Sequence, residues 1–278
     1  MCRKVLLVLA AVVLLGVAAW AIWGLGSSLQ DQAEQDTIFE RLRKISTEDV
    51  PTDLGTSSNG SEDHSHTENN DSSVAEPEVY SSAAPVDEPK GHDISILQEE
   101  NPECVGWVSI EGTDIDYPVM CSPDDPDYYL DHSFDKTSNR HGVPFLDSRC
   151  NIDTADNLII YGHHFVEGEM FSTLHKYASY SYYEEHPIIT LETAEGASQY
   201  RIAAVLRVSG TVYPTKWSIF NSLYMDAAEF EEMAQEIEAQ TLYSTGVLPV
   251  YGDHLLTLAT CEYTQKNGRL AVVAVKET

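Results

Sequence analysis

Three side chains far apart in the chain have the types that acyl transfer requires. Cys261 closes the apolar run of HLLTLATCEY, just ahead of the polar, turn-prone TQKNG, so the pattern puts a thiol at the end of a buried strand, next to solvent. A lone cysteine is more often a small core residue than a nucleophile, and Cys261 gains meaning only with a partner. His163 supplies one: it follows the apolar run of NLIIYGHHF, an acid/base type at a second strand end. One imidazole can take the proton of a thiol and later hand it to a departing amine. His164 competes for that role. Neighbouring side chains on extended backbone point to opposite sides, so one of the two faces the thiol, and the residues alone leave the choice open. Arg269 stands eight positions after Cys261, a spacing that allows strand, loop and return strand to bring its guanidinium beside the sulfur. There a cation would stabilise the oxyanion of a tetrahedral intermediate; elsewhere it would be a solvated surface charge.

The elements needed to position these residues are mostly short strands. Runs rich in β-branched and aromatic residues, separated by Gly, Pro and Asp, predict strands at Val105 to Ile110, Ile115 to Met120, Val143 to Asp147, Asn157 to Tyr161, Ile188 to Glu192, Tyr200 to Ser209, Leu255 to Thr260 and Leu270 to Lys276. Eight such strands predict a barrel or a sandwich. One helix interrupts them, with Asp226 as N-cap and Phe230, Met233 and Ile237 at helical spacing. Shorter helical patterns begin at Ile94 and cover Met170 to Tyr177.

Ahead of this folded region the composition divides twice. Val5 to Leu25 holds no charged residue, and at a rise of about 1.5 Å per residue it extends roughly 31 Å, enough to cross a hydrocarbon core. Arg3 and Lys4 precede it and acidic residues follow, which predicts a cytoplasmic N-terminus and an exported remainder. Ala19-Trp20-Ala21 offers a signal-peptidase alternative, but the apolar run is longer than a signal core and continues past that site. Gln30 to Val50 is loosely amphipathic through Ile38, Leu42 and Ile45, a juxtamembrane helix with or without packing. From Pro51 to about His92 the chain is Ser, Asn, Asp, Glu and Pro, too poor in apolar surface to offset chain entropy. The expected division is therefore 1–26 tip and anchor, 27–92 acidic and largely disordered extracellular spacer giving reach, and 93–278 catalytic domain.

A net charge of −29, with 45 acidic against 16 basic residues, disfavours nucleic acid and anionic surfaces as partners. Five cysteines without a CxxC or paired zinc-type spacing give no metal knuckle, and no cofactor is expected. The acidic SPDDPDYYLDH segment lacks EF-hand spacing and reads as a solvated loop.

Taken as an ordered set, these motifs resemble the class B sortases. TLATC with Arg269 eight residues on, IIYGHH upstream, and NPECVGWVSIEGTDIDYPVM, DYYLDHSF and GVPFLD before them are similar to the family's signature in order and spacing across Asp93 to Thr278. The resemblance implies a mainly β fold, an eight-stranded barrel of sortase type with a few peripheral helices behind an N-terminal transmembrane helix. It implies Cys261 as nucleophile, His163 as acid/base group, because the family's histidine directly follows the YG pair, and Arg269 as electrostatic stabiliser. The backbone N–H of Glu262 would be a second oxyanion donor, and Thr260 and Leu130 would line the peptide groove. The implied activity is a membrane-anchored cysteine transpeptidase on the outer face of a Gram-positive envelope. It would cut a C-terminal sorting peptide of secreted proteins at a Thr carbonyl and pass the acyl group to a peptidoglycan precursor amine or a pilin lysine. A secreted cysteine protease, with water resolving the thioester, is the alternative the same residues permit, and a tethered non-catalytic surface domain is a third. Ala259 departs from the Ser many class B members carry at that position, and the acidic spacer is longer than the family pattern.

Overall fold

The computed structural model describes residues 2–47, 91–165, 168–211, 217–264 and 266–277. Eight strands are present: β1 Cys104–Ser109, β2 Asp116–Met120, β3 Phe145–Leu146, β4 Asn157–Tyr161, β5 Ile188–Thr193, β6 Gly196–Ser209, β7 Leu255–Glu262 and β8 Gly268–Lys276. They close into one barrel in the order β1-β2-β3-β4-β7-β8-β6-β5, with β5 returning to β1. The β2–β3 and β4–β7 pairs are parallel and the others antiparallel. The barrel interior is filled by aliphatic side chains from alternating positions, Ile160, Val205, Leu258 and Val272 among them.

The expected strands and the observed ones differ where the backbone has other work. Val143 to Asp147 contributes only Phe145 and Leu146 to the sheet. Val143 N–H donates instead to Tyr129 O at 2.9 Å and Pro144 has no N–H to give, while at the other end Asp147 N–H still donates to Ile159 O of β4 at 2.8 Å and its carboxylate accepts from Arg149. β6 starts four residues earlier than its apolar pattern, because Thr193 and Gly196 pair across a tight hairpin in which Gly196 has φ +120°, a conformation natural only to glycine.

Helices sit outside the barrel. α1 spans Cys2–Thr47, α2 Ile94–Glu100, α3 Tyr180–Glu185 and α4 Ala227–Gln240. α4 starts as its sequence predicts: Asp226 accepts from the N–H groups of Ala228 and Glu229, and Glu229 accepts from Asp226 N–H at 3.0 Å, a reciprocal cap.

The N-terminal part corrects one expectation. The predicted spacer does not begin at residue 27. α1 continues to Thr47, and its second half lies on the barrel: Phe39 and Leu42 are buried in a cluster with Leu97, Trp107 and Phe145, Arg41 pairs with Glu100 at 2.7 Å, Arg43 with Asp116 at 2.5 Å, and Gln35 Nε2 donates to Gly142 O at 2.8 Å. Amphipathic spacing won over the polar composition of this segment because the barrel offers its apolar stripe a place to go. The remaining stretch, residues 48–90, lies outside the described residues, and what flanks it is close together: Asp93 N–H donates to Ser46 O at 2.8 Å. The predicted span, Val5 to Leu25, lies within α1 with most of its side chains outside the described residues. Among the described residues no helix is long and apolar enough to cross a membrane, so the fold lends that expectation no support.

The packing of α1 has a measurable consequence. Leu42 is fully buried, and Leu42→Ala is expected to cost about 2–5 kcal/mol, the usual range for a large core truncation. Denaturant unfolding checks it; a loss within about 0.5 kcal/mol, as for a surface site, would mean that α1 is not part of the folded unit.

Candidate active site

The site forms where β4, β7 and β8 end together. β7 and β8 are antiparallel and place Cys261 directly opposite Arg269, one pair short of the terminal Glu262–Gly268 pair. The connection between them turns through Asn267 with φ +55°. The Arg269 guanidinium is held low over this turn: Nη1 donates to Gly268 O at 2.9 Å. It lies over Gly210 at the end of β6, where an added Cβ would stand 3.2 Å from both Cγ and Cζ of Arg269, so the missing side chain leaves the arginine its seat.

β4 runs parallel to β7 with Tyr161 beside Ala259, and the ladder continues one step through Gly162 N–H to Ala259 O at 3.1 Å. Thr260 Oγ1 donates back to Gly162 O at 2.8 Å. Beyond that the two histidines separate. His163 turns into a groove of about 670 Å³ that it shares with Cys261, Arg269, Leu130, Tyr161 and Phe220. His164 turns the other way, toward the ring of His175 at 4.0 Å. The choice left open by the residues is thus made by the backbone.

His163 Nε2 lies 2.6 Å from Leu130 O. A carbonyl only accepts, so Nε2 carries the proton and Nδ1 is the free acceptor of the neutral ring. Burial lowers the His163 pKa below the ordinary value, helped by His141 nearby and opposed by the Leu130 carbonyl and Asp131. Cys261 is half-buried and, like the described cysteines Cys104, Cys121 and Cys150, is free of any disulfide.

The expected peptide-contacting residues divide. Leu130 is exposed on the groove and also anchors His163 through its carbonyl. Thr260 borders the groove with its hydroxyl spent on Gly162. The Glu262 side chain is buried away from the groove, its carboxylate accepting from Thr264 N–H and Oγ1, and its backbone pairs with Gly268 at the end of β7 and β8. Sequence reasoning missed the groove's other wall. Arg149 forks onto Asp147 through Nε at 2.9 Å and Nη2 at 2.7 Å, also donates to Phe220 O at 2.8 Å, and Tyr161 OH donates to the same carboxylate at 3.1 Å. Burial opposes the charge on Asp147, and the bonds from Arg149 outweigh it, holding the carboxyl below its usual range. The order Asp-Ser-Arg after an apolar run was the available signal; its closeness to Tyr161 and Phe220 was not in the sequence.

Comparison with known proteins agrees with this geometry. The Sortase family model, a sortase domain, matches residues 108–277. The chain is 29% identical over 264 residues to sortase B of Listeria monocytogenes serovar 1/2a (strain ATCC BAA-679 / EGD-e), covering 94% of this chain and 92% of the relative. Among solved structures, a Staphylococcus aureus sortase B–substrate complex superposes with TM-score 0.60 at 26% identity, over 66% of this chain and 84% of that one. A sortase B complexed with triglycine superposes with TM-score 0.59 at 27% identity, over 66% and 85%. The chain therefore belongs to the sortase family, with its likeness among the class B members, and with that family comes a transpeptidase role in surface-protein processing.

Proposed function

We propose that this protein cleaves a C-terminal sorting peptide at a Thr carbonyl and transfers the acyl group to an envelope amine, with Cys261, His163 and Arg269 as the working residues. The observation that carries this reading is the pairing of Cys261 with Arg269 across β7 and β8, with His163 entering the same groove from the end of β4. His163 Nδ1 takes the thiol proton, and the sulfur bonds to the Thr carbonyl carbon. The resulting oxyanion is held by Arg269, whose guanidinium keeps N–H groups to spare beside the one given to Gly268. As the C–N bond breaks, His163 returns its proton to the leaving amine, which leaves a thioacyl enzyme. An incoming amine then attacks the thioester and passes its proton to His163, which hands it to the departing Cys261 sulfur, so that the amide, the thiol and the neutral imidazole are restored. Leu130, Thr260 and the Asp147–Arg149 wall border the peptide. A peptidoglycan precursor and a pilin lysine both present such an amine.

The apolar run Val5 to Leu25 is proposed to anchor the chain, N-terminus inside and barrel outside the cell membrane. Its length and lack of charge support this.

Incubating the protein with a sorting peptide, with and without triglycine, tests the reaction. The expected outcome is a peptide–triglycine conjugate whose yield depends on the added amine. Turnover independent of amine, with no conjugate by mass spectrometry, would instead make the protein a cysteine protease.

A further inference from the structure

The carbonyl oxygen of Cys261 is held by two imidazoles. His164 Nδ1 lies 3.2 Å from it and His175 Nε2 2.8 Å. The reason is a ladder that stops. Alternate carbonyls of a strand face the same neighbour, so Cys261 O points toward β4 as Ala259 O does. Ala259 O receives Gly162 N–H, but beyond Gly162 the chain leaves β7 so that His163 can enter the groove. The next backbone donor would belong to His164, which supplies its ring instead. His175 comes from the 3-10 segment Phe171–Ala178, packed behind β7. Two donors on one oxygen satisfy both of its lone pairs.

That oxygen belongs to the peptide unit whose other end is the N–H of Glu262. A peptide is planar and trans, so fixing the direction of its C=O fixes its N–H on the opposite side. Here that N–H faces β8, where Glu262 pairs with Gly268, so the peptide unit is held at both ends. We infer that His164 and His175 are positioning residues that clamp the Cys261 carbonyl, fixing the backbone that carries the thiol opposite Arg269 at the point where β4 separates from β7. This rests on the transpeptidase reading for its kinetic consequence, while its structural content stands apart from it. Around the pair lie Tyr263, whose hydroxyl donates to His164 O at 3.4 Å, and the buried Glu262 carboxylate, 3.9 Å from Arg207 Nε.

Because a carbonyl only accepts, the neutral rings must be the Nδ1–H form at His164 and the Nε2–H form at His175. The test uses the wild-type protein first: ¹⁵N imidazole shifts above the histidine pKa values read each tautomer directly. His175→Phe and His164→Phe are then expected to lower kcat for acylation about tenfold, the scale of one lost hydrogen bond, with KM unchanged, and His175→Gln, which keeps a donor, to recover most of it. Unprotonated His164 Nδ1 or His175 Nε2 in the neutral rings overturns the inference, as does an unchanged kcat in folded Phe variants. Where a Phe variant fails to fold, the tautomers decide. A wild-type protein that turns over no sorting peptide overturns the proposed function and leaves the tautomer result readable.

Discussion

Replacing Cys261 by Ala is expected to remove both cleavage and ligation of a sorting peptide, a loss on the order of 10⁶ where a covalent nucleophile disappears. The other described thiols offer no substitute. Burial pushes Cys104 up to about 12 and Cys150 up to about 11, and raises Cys121 as well, with Glu103 and Asp147 adding to it. The thiolate is the reactive form, so these three are poor nucleophiles at neutral pH. A companion measurement is alkylation of the native protein followed by peptide mapping: Cys261 should react well before Cys104, Cys121 and Cys150. Unchanged peptide cleavage in Cys261→Ala, with Cys261 resistant to alkylation, would leave a tethered surface domain without this chemistry.

Gly162→Ala should produce the second largest effect, without touching any reacting atom. A Cβ at this position would stand 2.6 Å from Cγ and Cδ2 of Phe171. That ring is fully buried in the barrel core and cannot swing away, and Phe171 N–H is bonded to His163 O at 2.9 Å. The clash must be relieved by moving the backbone that carries His163. Overpacking of this kind costs about 1–3 kcal/mol, and a displacement near 1 Å of a catalytic group can cost about 10² in rate. Thermal unfolding and kcat for acylation read the two parts separately. A variant that loses stability but keeps its rate would show that His163 is not held through Gly162.

What the sequence disclosed follows from which interactions are local. β4 and β7 were legible because each is a continuous apolar run with a polar end, and α4 because its cap lies within four residues of its first apolar contact. The two chemical residues at those strand ends came with them. β3 was overdrawn at its start, since the partner of Val143 is set by a loop rather than by periodicity, while Asp147 still bonds to Ile159 of β4. The position of α1 was hidden because its apolar stripe, Phe39 and Leu42, has meaning only when the barrel surface is known. His175 left no trace: its partner is a backbone oxygen 86 positions away, and backbone groups look alike in every sequence. The opposite directions of His163 and His164 were foreseeable as a rule, and the assignment needed the place where β4 leaves β7.

The bond between Asp93 and Ser46 also decides what governs the height of the groove above an anchoring surface. Asp93 is tied to the end of α1, so the separation between Leu25 and the barrel is set along α1 itself. It is short: about 9 Å of helix rise takes α1 from Leu25 to Asp31, whose carbonyl accepts from Asn139 Nδ2 at 2.8 Å. With Val5 to Leu25 in a membrane, as proposed, that stretch of helix fixes how far the groove stands from the lipid.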